Sequence, residues 1–433
     1  MKAKPDDATQ IQGNLPYAHI NNYNGNILQQ RWLVAHNGWN IKQNPPNQVR
    51  SVTQLLDHGV RGLALDIHPG SNHSLYLKHN VNGDSYNDWE PLKEEIKSWL
   101  EANPTEVVAL FFESYLPGPE SKKQDCALAD LDKSLQEIDC YISGKAKQIA
   151  AMNYTLDRLA INGERLFAFI EKTPDEGEQD LFPEMYRVFA ENKYGTPSVE
   201  MTTWVDLRDD PVDSDYQNPY TFMNHFSNDP VSRGEEDKNN DPFLIIEHAQ
   251  SFAFRFGGRY PNFISLNTID WKDANVLNPN APGPNNSKDP IIASKALTLC
   301  KNFAATSYQW EGQNDWDGYI IDMVPDPETA LFFVELTVES DEKKGISKIN
   351  GRRGKGDGVS RIEVYNVPGK GIANLRYEVS GKWSGWLSKY NVPEMHHSEN
   401  RHVHSKMGFA FGYSCRTQKG YGVTDVAFAF SRH

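Results

Sequence analysis

Two histidines and two carboxylates stand at the ends of short apolar runs in the first quarter of the chain. Trp32-Leu33-Val34-Ala35 leads into His36, and Leu75-Tyr76-Leu77-Lys78 leads into His79. Between them Gly62-Leu63-Ala64-Leu65 ends on Asp66, and further on Val107 to Phe112 ends on Glu113. Two imidazoles can act as base and acid near neutral pH, because an unperturbed histidine has a pKa of about 6.5. The carboxylates bring oxygen donors of the kind a hard cation takes. Residue types in this arrangement point to acid–base chemistry, with room for a metal ion.

The elements that must position these groups follow from the same punctuation. Leu166 to Ile170 is followed by Glu171 and Lys172, Phe243 to Ile246 by Glu247 and His248, and Phe263 to Leu266 by Asn267. Apolar runs of this length, separated by amphipathic stretches, predict buried parallel strands alternating with helices. A (β/α) barrel delivers its catalytic groups from the C-terminal ends of its strands. The expected fold class is therefore α/β, a TIM-type (β/α) barrel with room for distortion, followed by a small all-β C-terminal domain. One helix is marked by Leu92, Ile96, Trp99 and Leu100 on one face and stopped by Asn103-Pro104. A second is marked by Leu128, Leu131, Leu135 and Ile138, flanked by Cys126 and Cys140. On one continuous helix those thiols would lie about 21 Å apart, too far to bond. The four cysteines read as buried free thiols.

The texture gives three regions. Residues 1–30 are polar and turn-rich, an extended lead-in. Residues 31–325 carry the strand-and-helix alternation. Residues 326–433 show alternating strands and glycine turns, with a weak internal repeat. Gly369-Lys370-Gly371 feeding Ile372 to Tyr377 parallels Gly420-Tyr421-Gly422 feeding Val423 to Phe428. A lectin-like β-domain fits, with Trp383 and Trp386 as its core. His396, His397, His402 and His404 read as a solvated loop. Asp229–Asp241 and Asn278–Pro290 read as surface loops.

A chain of 433 residues with 38% hydrophobic and 24% charged residues can bury a large core, so it is globular rather than disordered. The formal charge of −14 argues against an electrostatic grip on nucleic acid or an anionic membrane. A lipid would have to be met through a local patch or through aromatic side chains. No apolar stretch reaches the roughly 18 residues of a membrane span. Met1 to Asp7 lacks an apolar signal core. Either the protein is intracellular or its signal has been removed, and the secreted mature form is favoured over a cytoplasmic one.

Taken in order, these motifs resemble a known family. Trp32-Leu33-Val34-Ala35-His36-Asn37, Gly59 through Asp66, Leu77-Lys78-His79, Leu100 through Val108 and Phe111-Phe112-Glu113 are similar to the X-domain of phosphatidylinositol-specific phospholipase C, in its small bacterial and plant-type branches. Gly257 through Ile264 resembles that family's last strand. The likeness covers roughly residues 30–270. It implies a phospholipase C-like phosphodiesterase acting on a phospholipid or related phosphodiester, with peripheral membrane contact. His36 then matches the general base or phosphate-contacting group and His79 the general acid. Asn37, Asp66 and Glu113 match positions that hold Ca²⁺, or in principle Mg²⁺, in metal-dependent members.

The chain departs from the family in three places. Ala64 stands where metal-dependent members carry a Glu. Asp66 stands where metal-independent bacterial enzymes carry an Arg. Asn267 stands where an Asp is frequent. Metal-independent catalysis therefore stays open, with Lys172 supplying fixed charge and Lys172 and Asn267 as substrate or phosphate contacts. Arg61 is expected to pair with a carboxylate inside the barrel. His58, His68 and His73 read as surface or loop histidines, and His225 and Glu247-His248 as pocket lining. The competing readings are another barrel phosphodiesterase, of glycerophosphodiesterase or sphingomyelinase D type, and a non-catalytic lipid- or glycan-binding protein on a decayed barrel.

Overall fold

The computed structural model describes residues 24–41, 46–78, 87–116, 127–171, 180–193, 220–226, 239–270, 289–298, 304–308, 318–322, 332–341, 345–354, 357–367, 371–389, 401–405, 410–418 and 422–430. Nine strands of the first unit share one sheet: β1 (Trp32–Ala35), β2 (Gly62–Pro69), β3 (Leu75–Leu77), β4 (Asn87–Asp88), β5 (Val108–Ser114), β6 (Leu166–Ile170), β7 (Phe189–Glu191), β8 (Tyr220–Asn224) and β9 (Phe263–Leu266). Seven of them run parallel in the order β6-β5-β2-β1-β9-β8-β7. β1, β6, β8 and β9 are buried along their whole length. That is the signature of a parallel sheet covered on both faces.

Register shows which side chains share a face. Ala64 pairs with Phe111 and Phe111 with Phe169. Phe222 pairs with Phe263, and Phe263 with Trp32. All of these pack into one buried cluster with Phe189. Phe111 lies 4.9 Å from Phe263 and 5.0 Å from Phe222, both edge to face. Phe169 of β6 and Phe189 of β7 meet at 5.1 Å, although no strand ladder joins those two strands among the described residues.

The helices of this unit are α1 (Val52–Asp57), α2 (Trp89–Ala102), α3 (Leu128–Leu135), α4 (Lys145–Ala151), α5 (Leu156–Asn162), α6 (Met185–Val188), the start of α7 (Pro242–Arg255) and α8 (Ile291–Thr298). Both predicted helices form, the second only as far as Leu135, so that Ile138 falls in the turn after it. α2 buries Trp89, Leu92, Lys93, Ile96, Trp99 and Leu100, a stripe at helical spacing. α3 buries Leu128, Leu131 and Leu135. Ser51 caps α1 reciprocally with Gln54. Thr155 caps α5, which ends on Gly163 at φ 73°, a left-handed conformation suited to glycine. Arg61 does pair inside this unit, with Glu106 at 2.6 Å.

Five expectations need correction here. Phe243 to Ile246 is not a strand but the first turn of α7. A four-residue apolar run carries no periodicity to tell the two apart. Glu247 and His248 are therefore helical residues, not groups at a strand end. β3 is a strand, but it pairs antiparallel with β2. Only residues 70–74 separate β2 from β3, too few for a parallel crossover. His58 and His68 are buried rather than exposed. His58 Nε2 meets Asp289 at 2.8 Å, a partner 231 residues away that no local pattern announces. Within the segments read as surface loops, Asn239, Asn240 and Asp289 are buried. Within the lead-in, Ile27 belongs to the core cluster, and Asn26 bridges Thr155.

The second unit holds the rest of α7 and ten strands: β10 (Ala304–Tyr308), β11 (Gly318–Asp322), β12 (Phe332–Asp341), β13 (Gly345–Gly354), β14 (Val359–Val367), β15 (Gly371–Val379), β16 (Lys382–Trp383), β17 (Arg401–Ser405), β18 (Ala410–Gln418) and β19 (Gly422–Phe430). All pairings are antiparallel, in sheets ordered β10-β19-β18-β11, β12-β13 and β16-β15-β14-β17. Phe333, Ile349, Ile362, Leu375, Val426 and Phe428 share one core there. β10 and β11 pair with β19 and β18. By pairing they belong with this unit, so the antiparallel region begins before the change of texture at 325. The two copies of the repeat form β15 and β19, each starting at its second glycine. The predicted histidine loop is in part strand β17, and His404 is buried edge-on against Phe428 at 5.2 Å. His396 and His397 lie outside the described residues. Trp383 and Trp386 are half-buried, with the Arg376 guanidinium over both rings at 4.8 and 4.9 Å.

Candidate functional site

Side chains alternate along a strand. Phe111 points into the phenylalanine cluster, so Glu113, two residues on, points the same way past the cluster. Asp66 sits directly opposite Glu113 in register. Trp32 and Val34 put His36 on this same face, Phe169 does so for Glu171, Phe189 for Glu191, Phe222 for Asn224, and Phe263 for Asn267. The C-terminal ends of the parallel strands thus carry a polar crown over an apolar floor. Ala64 belongs to that floor, packed against the cluster beside Phe111.

His36 is held in the crown from several sides. Its Nδ1 lies 2.7 Å from Asn267 Oδ1. Its ring stacks on Phe226 at 3.8 Å and 10°. Its backbone N–H donates to Leu266. Gln48, fully buried, donates to the carbonyls of His36 and Leu266 at 2.8 and 3.0 Å, and accepts from the Ile269 N–H. One amide side chain therefore joins the ends of β1 and β9, which carry His36 and Asn267. Asn37 follows in a left-handed conformation, φ 46°, which asparagine tolerates better than other non-glycine residues. Asn37 is buried, and its carbonyl accepts from the Asn40 N–H. Asn240 donates to the carbonyls of Asn267 and Thr268, fixing the far side of the turn after β9.

Asp66 and Glu113 sit together on the other side of β2. Glu113 is exposed and accepts from the Tyr115 hydroxyl at 2.5 Å. Burial, and after it the charges of Glu113, Asp66 and Glu171, push the Tyr115 phenol above its usual range, so it stays a donor. Glu171 accepts in turn from Tyr186 at 2.8 Å. His68 stacks on Tyr115 at 4.1 Å and bonds the Lys78 carbonyl at 2.9 Å. Burial lowers its pKa, against the opposing pull of that carbonyl and of Asp66. The Lys78 N–H donates to the Asp66 carbonyl, which ties the residue before His79 to the crown.

Of the residues singled out from sequence, His36 and Asn267 meet directly, and Asp66 and Glu113 meet in register. Asn37 holds the turn after His36. His79 and Lys172 lie outside the described residues. His225 is fully buried, bonds the Asn239 carbonyl at 2.8 Å and is neutral, its pKa lowered by burial to about 4. Sequence reasoning missed Asn47, Gln48 and Phe226, loop residues with partners some 190 to 220 residues away, and Tyr115, which bonds Glu113 and stacks on His68. Among the described residues no group of three His, Cys, Asp or Glu is arranged to hold a metal ion.

The PI-PLC X family model, PI-PLC X 1, matches residues 32–278. A PI-PLC X domain-containing protein of Arabidopsis thaliana is 25% identical over 274 residues, 60% of this chain and 62% of that protein. The chain thus spans a little under two thirds of the length of that curated relative. Among solved structures, a pentafluoro-phenylalanine-incorporated phosphatidylinositol-specific phospholipase C of Staphylococcus aureus is similar at 11% identity and a TM-score of 0.41, covering 65% of this chain and 98% of that one. A calcium-dependent phosphoinositol-specific phospholipase C of a Pseudomonas species is similar at 13% identity and a TM-score of 0.33, covering 56% and 91%.

Proposed function

We propose, since the chain belongs to the PI-PLC X domain family, that it is a phosphodiesterase of phospholipase C type cleaving a phosphoinositide or related lipid headgroup. The observation that carries this reading is His36, half-buried at the end of β1, bonded through Nδ1 to Asn267 and stacked on Phe226. Such a ring is held with Nε2 as its remaining proton-accepting atom.

In this reading a headgroup hydroxyl attacks phosphorus, and His36 takes its proton. His79 gives a proton to the departing glycerol oxygen. The phosphoryl oxygens gain charge as the bonds exchange and need a cation nearby. Asn37, Asp66 and Glu113 are the proposed ligands of a Ca²⁺ or Mg²⁺ ion, which would polarise the phosphoryl group. The adjacent Asp66 and Glu113 fit that ion in donor chemistry, all oxygen, but the described residues do not complete a set of three His, Cys, Asp or Glu around it. Lys172 is the alternative source of positive charge, and Asn267 a further phosphate contact. We read the parallel sheet as a barrel closing between β6 and β7, which the Phe169–Phe189 contact supports. No helix among the described residues is long and apolar enough to cross a membrane.

The test is turnover of phosphatidylinositol vesicles, followed by phosphorus NMR of the soluble product with and without a calcium chelator. His36→Ala is expected to lose several orders of magnitude in turnover. Full activity in that variant would remove His36 as the base. Loss of product on chelation, with recovery on calcium, would place the ion in the mechanism. Product that survives chelation would leave Asp66 and Glu113 another role. No product from the unmodified chain under either condition would favour a non-catalytic binding protein, a reading to which Ala64 in the apolar floor lends weight.

A further inference from the structure

We propose that Asn40 and Asn47 are positioning residues for His36, their side-chain amides forming a polarised relay that makes Asn267 accept at His36 Nδ1. The inference rests on His36 being the base, and it explains how this chain manages without a carboxylate at position 267.

A carboxylate beside Nδ1 can only accept, so it fixes the tautomer unaided. A carboxamide carries both a donor and an acceptor on one planar group, and a half-turn exchanges them. Asn267 alone is therefore ambiguous. With oxygen toward the ring it favours hydrogen on Nδ1 and a bare Nε2. With its NH₂ toward the ring it favours hydrogen on Nε2, which disables the base.

The relay couples the three amides, so that Asn267 cannot turn over alone. Asn40 Nδ2 donates to Asn47 Oδ1 at 2.5 Å. That turns Asn47 Nδ2 toward Asn267 Oδ1, at 3.2 Å. A donor there holds the Asn267 oxygen on the side shared with His36, 2.7 Å from Nδ1. The backbone around both asparagines is fixed. Asn40 N–H donates to the Asn37 carbonyl at 2.8 Å, and its carbonyl accepts from Gln48 at 3.0 Å. The Asn47 carbonyl accepts from Thr268 N–H at 2.6 Å. Asn40 is buried, and Phe226 covers the ring of His36. Turning over all three amides would reverse the sense of these contacts together. The two senses differ in one observable, the tautomer of His36.

The experiment is a two-bond proton–nitrogen correlation on the ¹⁵N-labelled full chain at about pH 8.5, where an ordinary histidine is neutral. The His36 signal is identified by its loss in His36→Gln. The unmodified protein is expected to show a protonated Nδ1 and a bare Nε2. Asn47→Asp keeps the shape but can only accept, so Asn267 should turn over and hydrogen should move to Nε2. Asn267→Asp should keep hydrogen on Nδ1. Both variants add a carboxylate, yet their outcomes are opposite, which separates relay polarity from charge. On phosphatidylinositol vesicles Asn47→Asp should lower kcat about tenfold with KM little changed. Hydrogen on Nε2 in the unmodified protein, or an unmoved tautomer in Asn47→Asp, overturns the relay. The tautomer is read without turnover. An inactive protein with hydrogen on Nδ1 therefore counts against the phospholipase reading alone.

Discussion

Single residues carry two consequences that solution measurements can reach. Burial holds His225 neutral, with a pKa of about 4 against 6.5 in the unfolded chain. Between those values the unfolded chain binds a proton that the folded chain refuses. Its contribution is complete above pH 6.5 and is lost as pH falls toward 4, roughly 3 kcal/mol in all. Urea unfolding over that range should show this slope, and His225→Gln should flatten it. Arg61 is the second case. It and Glu106 are 2% and 1% exposed, 2.6 Å apart, and Arg61 also donates to the carbonyls of Leu56 and Val60. Arg61→Ala strands a buried carboxylate and should cost about 3–5 kcal/mol, while Arg61→Met with Glu106→Leu should cost much less. Equal losses in the single and double variants would refute the stranded-charge account. His36, Asp66, Glu113 and Asn267 were legible because each ends an apolar run. Asn47 and Phe226 were not, because nothing local marks a loop residue whose partner is some 200 residues away.

At the scale of elements, β2 is the strand that most constrains the site. Gly62 faces Val34 on one side and Ala109 on the other. A Cβ there would fall 2.5 Å from Val34 Cγ2 and 3.2 Å from Phe111 Cε2. Gly62→Ala should destabilise by about 1–3 kcal/mol, with part regained by Val34→Ala. Circular-dichroism melts of the three variants would show it, and an unchanged midpoint in Gly62→Ala would mean that β1 gives way freely. Strands buried on both faces and helices with a clear stripe were readable, as β1, β9 and α2 show. Phe243 to Ile246 was not. In α7 Phe243 is 73% exposed while Ile245 is buried, a helical alternation too short to see in four residues. β3 was read as a strand, but its antiparallel sense depends on the short loop from β2 rather than on its own residues.

For the whole molecule, charge is the property with a direct test. At −14 the chain is repelled by an anionic bilayer, so contact with one, as the proposed function requires, would need local apolar or aromatic groups. Association with anionic vesicles should hold or strengthen as salt is raised, because screening weakens repulsion at a Debye length of about 10 Å in 0.1 M salt. Sedimentation with vesicles across a salt series measures this. A steep loss with salt would reveal a basic patch that outweighs the net charge. The change of texture near 325 located the all-β region only roughly, because β10 and β11 are assigned by partners about 90 to 126 residues later. The pairing of β1 with β9 has a similar reach, and its consequence lies in biosynthesis. His36 and Asn267 are 231 residues apart. At about 5–20 residues per second, a ribosome needs roughly 12 to 46 s to make the second after the first. Through that interval the nascent chain holds β1 with its β9 edge open and the proposed base without its partner. On the proposed function, His36 would lack the partner that orients it until about three fifths of this chain has been synthesised.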